Sequence, residues 1–136
     1  MMEKYITNDG KKHLLEIGFL QNDTTNNFNF VALGIQGSNA AIDNGNGFLE
    51  ANGDNYHRVQ LQEENTLDDD DQSLAMSAIF DSTNFNPSEA TTVSEIAIVN
   101  QDVANDNDIW FAFMSVPPID KASNVSLKYT IIISIE

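Results

Sequence analysis

The run VSLKYTIIISIE (125–136) constrains this chain more than any other stretch. Val125, Leu127, Tyr129, Ile131, Ile133 and Ile135 fall on one side of an extended backbone. Ser126, Lys128, Thr130 and Ser134 fall on the other. Alternation at period two, in a segment rich in β-branched residues, describes a strand with one dry face and one wet face. Such a strand is stable only when a second layer covers its apolar side.

Five more segments carry the same kind of signal. FNFVALGI (28–35) is a first strand. YHRVQLQEE (56–64) alternates, with Val59 and Leu61 opposite Arg58, Gln60 and Gln62. SLAMSAIF (73–80) places Leu74, Met76, Ala78 and Phe80 on one face. TTVSEIAIV (91–99) and IWFAFMSV (109–116) are apolar on both faces. Asn-, Asp- and Gly-rich links separate these runs, as turns prefer, and SNAAIDNGNGFLEANGDN (38–55) is a long loop. Residues 6–19 differ: Ile6, Gly10, Leu14 and Ile17 make a helical stripe. The expectation there is a short helix over about 7–18, capped by Thr7 or Asn8 and stopped at Gly18. Strands at regular spacing with no helices between them predict a mainly β fold. The expected form is an antiparallel β-sandwich, jelly-roll or Ig-like, in a single domain over 1–136. A hydrophobic fraction of 41% is enough to fill its core.

Charge removes several function classes. The formal net charge is −15, with only six basic residues and Arg58 the lone arginine. Nucleic-acid backbones and anionic membranes require clustered cations, so neither is an expected partner. No apolar run is long enough to span a bilayer, and MMEKYITNDGKKH lacks the apolar core of a signal peptide. The expectation is therefore a soluble chain. With no cysteine, disulfides and thiolate metal sites are excluded.

Catalytic motifs are missing from the sequence. His13 and His57 are the only histidines, there is no G-x-S-x-G elbow, and ALGIQGSNA matches no phosphate-binding loop. The expectation is a non-enzyme with no cofactor and no metal. Loops starting at Asp43 or Asp102 fail the EF-hand pattern, because Gly45, Gly47 and Ala104 occupy ligand positions. NDND (105–108) reads as a polar turn, with a weak Ca²⁺ site in the loop as the alternative. NTLDDDDQS (65–73) lies between two strands and reads as a solvated hairpin connection, since four adjacent like charges repel one another. Two charges sit in strands: Arg58, and Glu95 inside VSEIAIV. A charge buried in a sheet requires a partner, so Arg58 is expected to pair with Glu95 or with Glu50 and to hold the long loop. Trp110, Met114, Phe48 and Ile42 are candidate interface residues. Trp110, Tyr56 and Phe48 could alternatively form a stacking platform for a carbohydrate.

Several short motifs occur in a familiar order. They are ITNDG (6–10), NFVALGIQG (29–37), GFLEANGDNYHR (47–58), VSEIAIVN (93–100) and WFAFMSVPPIDKASNVSLKYTIIIS (110–134). Together they resemble a family of small tailed-bacteriophage virion proteins. The chain departs from that pattern at Ile35-Gln36, where Gly-Thr is usual, and at Ile96, where Gly is common. The resemblance implies a virion component assembled in the host cytoplasm. Its implied partners are the major capsid protein or neighbouring virion proteins, and further copies of itself as a dimer or trimer. The acidic, compact chain suits a capsid decoration or cement protein; a tail, collar or baseplate component is the alternative.

Overall fold

A computed structural model describes residues 15–16, 18–19, 27–35, 48–64, 73–104 and 108–134. It is mainly β. The strands are β1 (Phe30–Gly34), β2 (Val59–Gln60), β3 (Gln62–Glu63), β4 (Ser73–Phe80), β5 (Thr91–Val99), β6 (Trp110–Lys121) and β7 (Leu127–Ser134). They form two antiparallel sheets, one in the order β2-β1-β5-β6 and one in the order β3-β4-β7. Val31, Leu33, Ile96 and Ile98 of the first sheet share a core with Leu74, Met76, Phe80, Leu127 and Ile131 of the second. Burying each of these large side chains contributes roughly 1.5–3 kcal/mol. The alternation appears as expected over 127–133: Leu127 and Ile131 are buried, Tyr129 and Ile133 pack on the core, and Lys128 and Thr130 are exposed; Val125, expected on the dry face, precedes β7 and is exposed.

Most of the expected helix over 7–18 lies outside the described residues. Leu15, Glu16, Gly18 and Phe19 have helical backbone, and Leu15 and Phe19 are buried against the core. Ile42, His13 and Asp68 to Asp71 also lie outside. Strands β3 and β4 pair antiparallel; the expected hairpin connection between them, 65–72, lies outside the described residues.

Two strand expectations need correction. The run 56–64 is not one strand in one sheet. Val59 and Gln60 pair with β1, whereas Gln62 and Glu63 pair with β4. The switch falls at Leu61, which is buried and donates its N–H to the carbonyl of Asn29 at 2.7 Å. The run 109–116 continues to Lys121, through Pro117 and Pro118. Those prolines are tolerated because β6 is an edge strand and its register with β5 shifts between Val93 and Glu95.

A second shift alters the phase of β6. Ala112 opposes Ile98, but Trp110 opposes Val99, leaving Phe111 as an extra residue. Trp110 therefore lies on Val99's side of the sheet, and Met114, opposite core residue Ile96, lies on the core side. Simple alternation had put Trp110 and Met114 on one face. Phe111 is 47% exposed and meets the rings of Phe19 and Phe28 at 4.9 and 5.2 Å.

Lys121, at the end of β6, has no exposed surface, and its ammonium donates to the carbonyl of Ala122 at 3.1 Å. Burial lowers its pKa, with Asp81 opposing the shift. A lysine whose folded pKa is depressed destabilises the fold while protonated, and the deficit fades as pH rises toward the unfolded pKa. Stability should therefore increase on the alkaline side through this group. Lys121→Met removes the desolvation cost of the ammonium and should raise stability near neutrality. Urea melts at neutral and alkaline pH check this; an equal or lower midpoint at neutral pH would show that the ammonium is adequately solvated.

Candidate functional site

The first sheet is buried on both faces along Val93–Asn100. On the side away from the core, Phe48 packs over Gly34 and against Trp110, while Ala51 and Tyr56 of the same segment reach the core. Strand β1 changes neighbour along its length. Phe30 and Val31 pair with β2, while Gly34 bridges Glu50. Ala51 donates its N–H to the Leu33 carbonyl, and Ile35 donates to that of Leu49, both at 2.9 Å. Part of the expected loop 38–55 is thus a sheet-edge segment.

Between these two pairings the Leu33 N–H has no backbone acceptor on that side. It donates instead to the Tyr56 hydroxyl at 3.1 Å, and the hydroxyl donates onward to Glu50 Oε2 at 2.5 Å. The chain returns from 51 to 56 through Gly53, Asp54 and Asn55, at φ of 69°, 52° and 63°. These are residue types that tolerate left-handed backbone. Backbone hydrogen bonds from His57 to Asn84 and from Asn86 to Asp54 tie the turn to the 84–86 segment.

Arg58 stands at the centre. Its side chain is 2% exposed. Nε and one terminal nitrogen grip both oxygens of Glu50 at 2.8 Å. Both terminal nitrogens donate to the two oxygens of Asp108 at 3.0 Å, and one also donates to the Gln101 carbonyl at 3.1 Å. All five guanidinium N–H groups are therefore used. The ring of Trp110 lies 5.3 Å from the guanidinium carbon and 5.4 Å from the ring of Phe48. Burial by itself would lower the Arg58 pKa, but hydrogen bonds and charge from Glu50 and Asp108 more than offset it and hold it above the usual value. Burial pushes the Tyr56 hydroxyl well above its ordinary pKa, and Glu50 adds to the shift.

Asn100 supplies Asp108. Its side-chain oxygen accepts the Ile109 N–H at 2.7 Å, and its own N–H donates to the Ile109 carbonyl. This closes the 100–109 loop and brings both Asp108 and the Gln101 carbonyl within reach of Arg58.

No family model, curated protein or solved structure matches this chain.

Of the two partners expected for Arg58, Glu50 is found and Glu95 is not. With every guanidinium donor committed elsewhere, Glu95 has no place on Arg58. It is buried in β5 opposite Gly34 and Ser115. The second carboxylate, Asp108, was missed because it stands in what reads as a polar turn, NDND, far from Arg58 in sequence. Its only sequence signal is the need of a buried arginine for enough acceptors. Phe48, Tyr56 and Trp110 do not form an open stacking platform. All three are half-buried, with Phe48 and Trp110 against each other and Tyr56 edge-on to Phe85 at 5.6 Å.

A cleft of about 380 Å³ borders the cluster, with Glu50, Tyr56, His57, Arg58, Asp102 and Val103 in its wall. Its buried polar groups are bonded to one another. Arg58 has no donor left for an anion, and the Tyr56 hydroxyl is held between Leu33 and Glu50. The arrangement is chemically a lock: it fastens two loops, 48–58 and 100–109, to one sheet. Among the described residues no group of three or more His, Cys, Asp or Glu is placed to hold a metal ion, and no helix is long and apolar enough to cross a membrane.

Proposed function

We propose that the chain is a non-enzymatic structural protein of a bacteriophage particle. In this reading it is a capsid decoration protein, a jelly-roll or Ig-like β-sandwich that binds the major capsid protein and stabilises the head. One observation carries the proposal. The residues through which the sequence resembles phage virion proteins meet in space. Gly34 from ALGIQG, Phe48 and Glu50 from GFLE, Arg58, Glu95 from VSEIAIVN and Trp110 lie in or against a single cluster. The cluster spends its polar groups on holding loops. A fingerprint of this kind serves architecture and presentation rather than bond-making.

The held loops present apolar side chains to solvent: Leu49 at 48%, Val103 at 64% and Ile109 at 53% exposure. Apolar residues fixed on a rigid support suit a contact that is repeated over a capsid, where weak interactions add by multivalency. The expected result of changing Leu49, Val103 and Ile109 together to Ser is at least a tenfold loss of binding to capsids lacking the protein, with an unchanged thermal midpoint. The decisive test is immunogold or cryo-electron microscopy of whole particles. Label distributed over the head supports the proposal. Label confined to the tail or neck would assign the chain to a tail, collar or baseplate, and its absence from particles would overturn the virion reading.

A further inference from the structure

Among the described residues no strand pairs with the outer edge of β7 in the three-stranded sheet. Glu64 donates its N–H to the carbonyl of Ala75. In an antiparallel ladder the N–H and C=O of one residue point the same way, and direction alternates along the strand. Ala75, Ser77 and Ile79 therefore direct their backbone groups toward β3. Leu74, Met76, Ala78 and Phe80 direct theirs toward β7, bonding Ile133, Ile131, Tyr129 and Leu127. It follows that Lys128, Thr130 and Ile132 aim their N–H and C=O groups outward, away from β4. Their side chains are exposed as well, Ile132 at 52%.

Edge strands normally carry protection against pairing, such as prolines, bulges, charged side chains (lysine above all) or extreme shortness. The other edges have it. Strand β6 has Pro117, Pro118, Asp120 and two register shifts, while β2 and β3 are two residues each. Strand β7 is eight residues long, with no proline, no bulge and no acidic residue, and its one charge, Lys128, is neutralised by Glu64 of its own chain.

We propose that β7 pairs antiparallel with β7 of a second copy, about a twofold axis at Thr130, joining two three-stranded sheets into one of six strands. The pattern is self-complementary in this register. The outward-directed residues meet as Lys128 with Ile132 of the second copy, Thr130 with its own counterpart, and Ile132 with Lys128 of the second copy. No like charges oppose each other, and Thr–Thr is a favourable cross-strand pair. The row on the outer face then runs Ile79, Lys128, Ile132 of the second copy. The aliphatic stem of Lys128 is flanked by two isoleucines that the single chain leaves 45% and 52% exposed. Lys128 keeps its ammonium on Glu64, at 2.8 Å. Net charge opposes association of two such acidic chains, so dimerisation strengthens with added salt, unlike an interface held by ion pairs. The proposal is independent of the virion reading, since it concerns the purified chain alone.

The test uses the absence of cysteine. Thr130→Cys introduces one thiol per chain at the axis, where paired Cα atoms stand about 5.5 Å apart, within disulfide reach. Lys128→Cys places the thiols about 14 Å apart in the same register. On mild oxidation T130C should form a covalent dimer and K128C should not. By analytical ultracentrifugation at high salt the unmodified chain should sediment as two copies. Thr130→Pro, which removes an outward N–H from an edge position where proline is tolerated, should sediment as one copy with unchanged circular dichroism. Thr130→Lys, which sets like charges on the axis, should do the same and decides the matter if the proline variant fails to fold. A monomeric unmodified chain, a dimer that survives both substitutions, or equal cross-linking of K128C and T130C would overturn the proposal.

Discussion

Arg58→Ala should cost about 3–5 kcal/mol of unfolding free energy, the range for removing one partner of a buried ion pair. The magnitude follows from what stays behind. Glu50 and Asp108 lose four charge-assisted hydrogen bonds between them, the Gln101 carbonyl loses one, and the side chain of Asp108 is only 9% exposed. Two carboxylates are then left close together with no cation between them. The whole fold of such a domain is worth roughly 5–15 kcal/mol, so the variant should be near its limit. Arg58→Lys should recover only part of the loss, because an ammonium cannot grip two carboxylates in fork geometry or lie flat against Trp110. Replacing Arg58, Glu50 and Asp108 together with apolar residues of similar volume should be far milder than Arg58→Ala, since no charge is then stranded. Chemical denaturation of the variants measures all of this. A loss below about 1 kcal/mol for Arg58→Ala, typical of an exposed pair, would mean that the guanidinium is not locked in solution.

Gly34→Ala should cost about 1–3 kcal/mol, the range for overpacking a filled site. A Cβ on Gly34 would stand 2.7 Å from Cε2 of Phe48 and 2.9 Å from Cβ of Glu95. The two clashes differ in kind. The Phe48 ring is the end of a side chain and can swing away, though only by disturbing Trp110 and, through it, the face of Arg58. The Glu95 Cβ is fixed to the backbone of β5 and cannot move without shifting the β1–β5 ladder. Phe48→Leu in the Gly34→Ala background should therefore restore part of the stability and not all. Full restoration would show that the ring was the whole obstacle; no restoration would show that the strand spacing was.

The same contrast between local and non-local causes explains what could be read beforehand. The strands 73–80 and 91–99 were legible to the residue, because side-chain alternation and turn residues are properties of neighbours along the chain. The pairing of Arg58 with Glu50 was legible as a demand: a charge in a strand needs a partner, and Glu50 is eight residues away. Asp108, fifty residues away, was not. It became a partner only because Asn100 closes its loop beside β6. The separation of Trp110 from Met114 was hidden too, since a bulge is defined by the strand opposite and not by the strand that carries it.

The sequence by itself determined that this protein is mainly β, where the strands 73–80 and 91–99 run, which residue types connect them, and that one arginine had to find an acid. Those follow from short-range periodicity and from the cost of burying a charge. Only the tertiary structure decided that 56–64 is shared between two sheets at Leu61, that Phe48 must lie over a residue with no side chain, and that two loops meet on Arg58. Each depends on which backbone lies alongside another, and a linear pattern carries no record of that.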